Sequence, residues 1–97
     1  MKVIKSALEF VWDKGNSGKN LKHKVEDQEA EEPFLDENKV IYKDLLPSEK
    51  ENRFILVGKS KQDRLLFISF TYRNNKIRII SARDINRKEV SIYEKAI

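Results

Sequence analysis

The segment from Arg64 to Tyr93, RLLFISFTYRNNKIRIISARDINRKEVSIY, constrains the fold of this chain more than any other. Leu65 to Tyr72 is apolar almost throughout, with basic or hydroxyl residues towards its ends, as expected of a strand covered on both faces. Asn74-Asn75 interrupts the pattern, and asparagine tolerates the left-handed backbone that a tight hairpin requires. Lys76 to Ala82 then reads as the return strand. Asn86 and Glu89 have capping-box spacing, which predicts a helix starting at Arg87 that packs Val90, Tyr93 and Ile97 onto the sheet. A hairpin this apolar does not need the six cations Arg64, Arg73, Arg78, Arg83, Arg87 and Lys88 in order to fold.

The earlier elements follow from the same rules. Leu8 to Trp12 alternates weakly and predicts a first strand with its aromatics in the core. Gly15 and Gly18 loosen a helical stretch running to His23, and Glu26 to Leu35 predicts a short amphipathic helix with Pro33 at its end. Val40-Ile41-Tyr42 and Arg53 to Lys59 read as strands, with a loop at Leu45-Leu46-Pro47-Ser48 and a bulge or turn at Gly58. Short links between neighbouring strands favour an antiparallel meander, so the expected class is α+β, with two N-terminal helical segments and a C-terminal helix. The length of 97 residues suits one domain spanning 1–97, with 1–9 as a poorly ordered or strand-forming extension.

Charge is unevenly placed. Met1 to Val25 carries six Lys/Arg against two Asp/Glu, Glu26 to Glu51 three against ten, and Asn52 to Ile97 eleven against four. If the two basic ends converge, the molecule has a positive face suited to a polyanion. The competing reading is that these charges keep a small domain soluble. No cysteine is present, which removes disulfides and thiolate chemistry, and no apolar run approaches the length of a membrane span or a signal peptide. A cytoplasmic protein with no membrane contact is the expectation.

The inventory of reactive groups is short. One histidine and no cysteine leave no plausible zinc site, no Walker loop is present, and nothing local arranges a serine triad. No cofactor or metal is expected. A cationic site with a single imidazole remains, and this fits RNA cleavage, which needs a proton acceptor or donor and cations for the phosphorane. Lys22 and Lys24 flank His23, placing a cation on each side of the imidazole. The competing reading of His23 is an exposed histidine at a helix end.

Strand parity puts Arg64 on the face of Leu66, Ile68, Phe70 and Tyr72, and Arg73 on that of Phe67, Ser69 and Thr71. Arg78 lies inside Ile77-Arg78-Ile79-Ile80; such an arginine is either paired with a carboxylate of the acidic middle or aimed at a phosphate. Arg83, Arg87 and Lys88 stand at a strand end and helix start. Tyr42, Phe70 and Tyr93 are assigned to the core, with Tyr72, beside the turn, able to stack on a base.

Phe10-Val11-Trp12-Asp13, Asn20-Leu21-Lys22-His23-Lys24-Val25, Arg53 to Gly58, Arg64-Leu65-Leu66 and, most specifically, Arg78-Ile79-Ile80-Ser81-Ala82-Arg83 with Glu89 and Tyr93-Glu94 resemble the BrnT family. The chain differs in having Asn16 where that family usually has lysine, one residue fewer between Asn20 and Lys22, and Asn52 for the usual Glu. The resemblance implies a RelE-like fold and a toxin of a type II toxin–antitoxin pair. It implies metal-independent RNA cleavage that inhibits translation, and neutralisation by a BrnA-like antitoxin that makes the DNA contacts. It also implies catalytic roles for Lys22, His23, Arg64, Arg78 and Arg83, with Lys24, Arg73, Arg87 and Lys88 as RNA contacts. The alternative is a non-catalytic RNA- or protein-binding module of the same fold. In a third reading the arginines form internal ion pairs with the acidic middle.

Overall fold

A computed structural model describes residues 8–44 and 52–95; the expected loop at 45–48, the first seven residues and Ile97 lie outside the described part. Its centre is an antiparallel sheet of β1 (Val40–Lys43), β2 (Phe54–Lys59), β3 (Leu65–Arg73) and β4 (Lys76–Asp84), in spatial order β1-β2-β3-β4. This is the expected meander, and with its short helices the fold is α+β. Asn74 and Asn75 both have positive φ, 51° and 65°, which is the backbone of a type I′ turn whose twist matches the two strands it joins.

Both faces of the sheet are covered, as the near-continuous apolar run of β3 requires. Leu56, Leu66, Ile68, Phe70, Ile77, Ile79 and Ala82 form one buried face against Val25, Ala30 and Phe34. Ile55 and Val57 form the other, where Tyr93 packs with Leu65, Phe67, Ile85 and Ile92. The helices are short: a 3-10 turn at Lys19–His23, α1 at Asp27–Glu31 continuing into a 3-10 turn at Glu32–Leu35, and α2 at Val90–Glu94. Pro33 sits in that second turn, where its missing N–H costs nothing. Among the described residues no helix is long and apolar enough to cross a membrane.

The predicted capping box forms, but it closes a turn at residues 87–89, and α2 starts at Val90 rather than Arg87. The Asn86 N–H donates to Glu89 Oε1 and the Glu89 N–H to Asn86 Oδ1, each at 2.9 Å, a reciprocal capping box. At the other end of the helix the Tyr93 hydroxyl donates to Asp36 Oδ2 at 2.6 Å; burial, together with this carboxylate, pushes the phenol up to about 12.

Two local expectations are corrected. Gly58 carries no bulge: it pairs regularly with Leu66, and its missing side chain admits Pro33, whose carbonyl oxygen would lie 3.1 Å from a Cβ there. The irregularity falls instead between Ser69 and Phe70, whose partners are Ser81 and Ile79, so Ile80 is the extra residue of β4. Leu8 to Trp12 makes only a single parallel bridge, Phe10 to Ile77, on the outer edge of β4, with Phe10 and Trp12 packed against the core. The ladder stops there because a side chain replaces it: Asn16 Nδ2 donates to the next outward carbonyl, Ile79 O, and also to Val11 O. Asn20 does the same one turn later, its Oδ1 accepting from the Ala82 N–H at 2.9 Å. Buried Asn16 and Asn20 thus hold the 13–23 loop along the edge of β4.

Candidate functional site

That loop delivers Lys22, His23 and Lys24, all exposed, to the end of the sheet where β3 begins and β4 ends. Gly18 starts the 3-10 turn with φ of 71°, and Lys24 ends it in the left-handed region at φ 60°, which few non-glycine residues adopt. Such a conformation needs support from outside the turn, and Arg64 provides it. Nη2 of Arg64 donates to the His23 carbonyl at 2.9 Å and Nη1 to the Lys24 carbonyl at 2.6 Å. The same guanidinium binds Asp84 through Nε and Nη2 and Glu29 through Nη1.

A guanidinium has five N–H donors, and these five contacts engage all of them within the protein. Arg64 is therefore a brace for the His23 loop. Asp84, held by it on the Arg64 side, also lies within electrostatic reach of His23. The hydrogen bond from Arg64 is the main cause of a lowered Asp84 pKa, and the His23 charge adds to it.

Arg83 lies back to back with this cluster. It projects from the opposite face of β4, its guanidinium 4.2 Å over the ring of Phe67, and it grips Glu89 in a fork with contacts of 2.9 and 2.8 Å. Glu89 thereby serves two ends, capping α2 and orienting Arg83, and its pKa falls because of that pairing. Arg87 and Lys88 are exposed between β4 and α2, beside it.

Arg78 is elsewhere. Its Nη1 donates to Asp13 Oδ2 at 2.6 Å near the hairpin end, on the same face as Arg83, and the two are separated by the four-residue interval between their β3 partners Thr71 and Phe67. At about 3.3 Å per residue this is roughly 13 Å. Arg73 is exposed at the same hairpin end. Tyr72 is half exposed but packs edge-on against Phe54 and Phe70.

The expected single hollow around one imidazole and several guanidiniums does not form. Arg64 lies on one face of the sheet, while Arg78 and Arg83 share the other because of the bulge at Ile80, and each of the three has a carboxylate partner. The acidic middle supplies only Glu29 among these partners; Asp13, Asp84 and Glu89 come from the basic ends. Asp84 was missed because its pairing depends on register, Leu66 opposite Asp84, which no local pattern reveals.

These ion pairs set an acid limit on stability. Asp13, Asp84 and Glu89 are all held below their ordinary values, 3.8 for Asp and 4.5 for Glu, first by their arginine hydrogen bonds. A lowered folded pKa gives stability that is complete above the ordinary value and is lost as pH falls through the folded one. Thermal midpoints measured from pH 7 downwards should stay level to about pH 5 and then fall steadily below about pH 4. A midpoint unchanged at pH 3 would show the pairs contribute nothing.

No curated protein matches the chain. A family model described as ribonuclease toxin, BrnT, of type II toxin-antitoxin system matches residues 12–89, which include every residue of the His23, Arg78 and Arg83 clusters. The chain therefore belongs to the BrnT family of type II toxin–antitoxin ribonuclease toxins.

Proposed function

We propose that this protein is the toxin of such a pair and cleaves RNA without a metal ion by attack of a 2′-hydroxyl on the adjoining phosphate. The observation that carries this reading is the braced loop, on which the only imidazole of the chain stands between two exposed lysines at the end of the sheet. In this reading His23 removes the 2′-hydroxyl proton, and Lys22 and Lys24 stabilise charge on the phosphorane. The new 2′ O–P bond displaces the 5′-oxygen, which takes a proton from solvent, leaving a 2′,3′-cyclic phosphate and a 5′-hydroxyl. Arg64 acts as a positioning residue. Arg83, with Arg87 and Lys88 beside it, binds neighbouring phosphates.

Translation slows as messages are cut in the cytoplasm, until a BrnA-like antitoxin, which makes the DNA contacts, covers the toxin. The test is incubation of the purified chain with a labelled RNA in the presence of a chelator. Products ending in cyclic phosphate are expected; intact RNA, or cleavage abolished by the chelator, would reject the reading. The carboxylate partners of all three arginines favour a second reading, a binding module without cleavage. It predicts RNA that is retained in a salt-dependent way yet remains whole. An adjacent reading frame for a small helical DNA-binding protein would support a toxin role.

A further inference from the structure

The edge of β4 has a second cationic end that the chemistry at His23 does not use. A hollow of about 270 Å³ opens at the hairpin, lined by Val11, Asp13, Arg73, Asn74, Lys76 and Arg78. Arg73 and Lys76 face each other across the last pair of the β3–β4 ladder, and the rigid Asn-Asn turn fixes their separation. Arg78 is held from the other side. Its side chain is 18% exposed, and its guanidinium is oriented by Asp13 and lies where a side chain on residue 15 would be: a Cβ on Gly15 would come within 2.7 Å of Nη2. Lys76 and Arg78 thus stand beside Asp13, with Arg73 opposite Lys76 and with Glu9 3.8 Å from Lys76 in an exposed contact of little weight.

The 13–23 loop joins this hollow to His23. It follows β4 residue by residue, Asp13 at Arg78, Asn16 at Ile79, Asn20 at Ala82 and the His23 carbonyl at Arg64 beside Asp84. Between the two ends it exposes Lys14 and Lys19. We infer that the hairpin hollow is a distal phosphate subsite, and that the β4 edge is a track along which single-stranded RNA spans from this hollow to the scissile phosphate at His23. The inference rests on the proposed reading of RNA as substrate. Scattered exposed cations bind a lone anion weakly, whereas a strand with several phosphates engages the hollow, the loop lysines and the His23 end together. A substrate that carries one phosphate reaches only one end.

Affinity for a twelve-nucleotide 2′-O-methyl RNA, which cannot be cleaved, tests this without depending on catalysis. The full chain is compared with Lys76→Glu and with Gly15→Ala, the latter placing a methyl group against the Arg78 guanidinium. Both variants should bind the twelve-mer more weakly, and Lys76→Glu should reduce the slope of log affinity against log salt by about one. A dinucleotide of the same chemistry should bind all three proteins alike. Twelve-mer affinity unchanged in both variants would overturn the subsite, including the case in which only neutralisation by an acidic protein partner is impaired; so would an equal loss for dinucleotide and twelve-mer. Absence of cleavage by the parent protein, with this length-dependent pattern present, would reject the nuclease reading and leave the subsite standing.

Discussion

Changing Arg64 to Ala should lower the thermal midpoint by roughly 12–24 °C, from a loss of about 3 kcal/mol and a shift of about 4–8 °C per kcal/mol in a domain of this size. Asp84 is 64% exposed in its side chain and its pairing is screened, so most of the effect comes from elsewhere. Removing the guanidinium strands Glu29, whose side chain is 13% exposed, and leaves the His23 and Lys24 carbonyls without their donor. Arg64→Lys should recover little, since one ammonium with three donors cannot reach five acceptors arranged around a planar fork. Calorimetry on the three proteins decides it. A midpoint within a few degrees of the parent for Arg64→Ala, or full recovery by lysine, would mean the brace is ornamental.

His23→Ala should have the opposite profile. The side chain of His23 is exposed, and the bond that anchors this residue runs through its carbonyl, which alanine keeps. The fold and midpoint should therefore be unchanged, while RNA cleavage falls by about 10²–10⁴-fold, the usual contribution of a positioned proton-transfer group. Cleavage at the parent rate would remove His23 from the chemistry and turn attention to the lysines on either side. Measured together, the two variants separate a group that reacts from one that holds it in place. Arg64→Ala loses both stability and activity, and His23→Ala only the second.

Much of the architecture was legible in short-range pattern. The Asn74-Asn75 turn, the strand order of the meander and the Asn86/Glu89 box all depend on residues near one another in sequence, and all were read correctly. The alternation in β3 also put Arg64 and Arg73 on opposite faces. What escaped was non-local. The bulge at Ile80 adjusts β4 to its partner, and the failed strand at Leu8 to Trp12 reflects Asn16 taking an edge carbonyl 63 residues away. Gly58, read as a bulge, instead answers to Pro33 on a neighbouring element.

The candidate site divides along the same line. Lys22, His23 and Lys24 are neighbours in sequence, so their grouping was visible at once. That Arg64 fastens their loop, and that Arg78 belongs to a separate hollow, was not.

By itself the sequence determined the hairpin, the α+β class, the family and the opposite faces of Arg64 and Arg73, because a period of two leaves a side chain no third choice; the bulge at Ile80, a product of strand pairing, is what puts Arg78 and Arg83 on one face. Tertiary structure alone decided which carboxylate each arginine meets and whether it has donors left for a phosphate. An arginine reaches its partner at the end of a long flexible stem, and Asp13 and Arg78, 65 residues apart in the chain, become neighbours only after the loop has packed along β4.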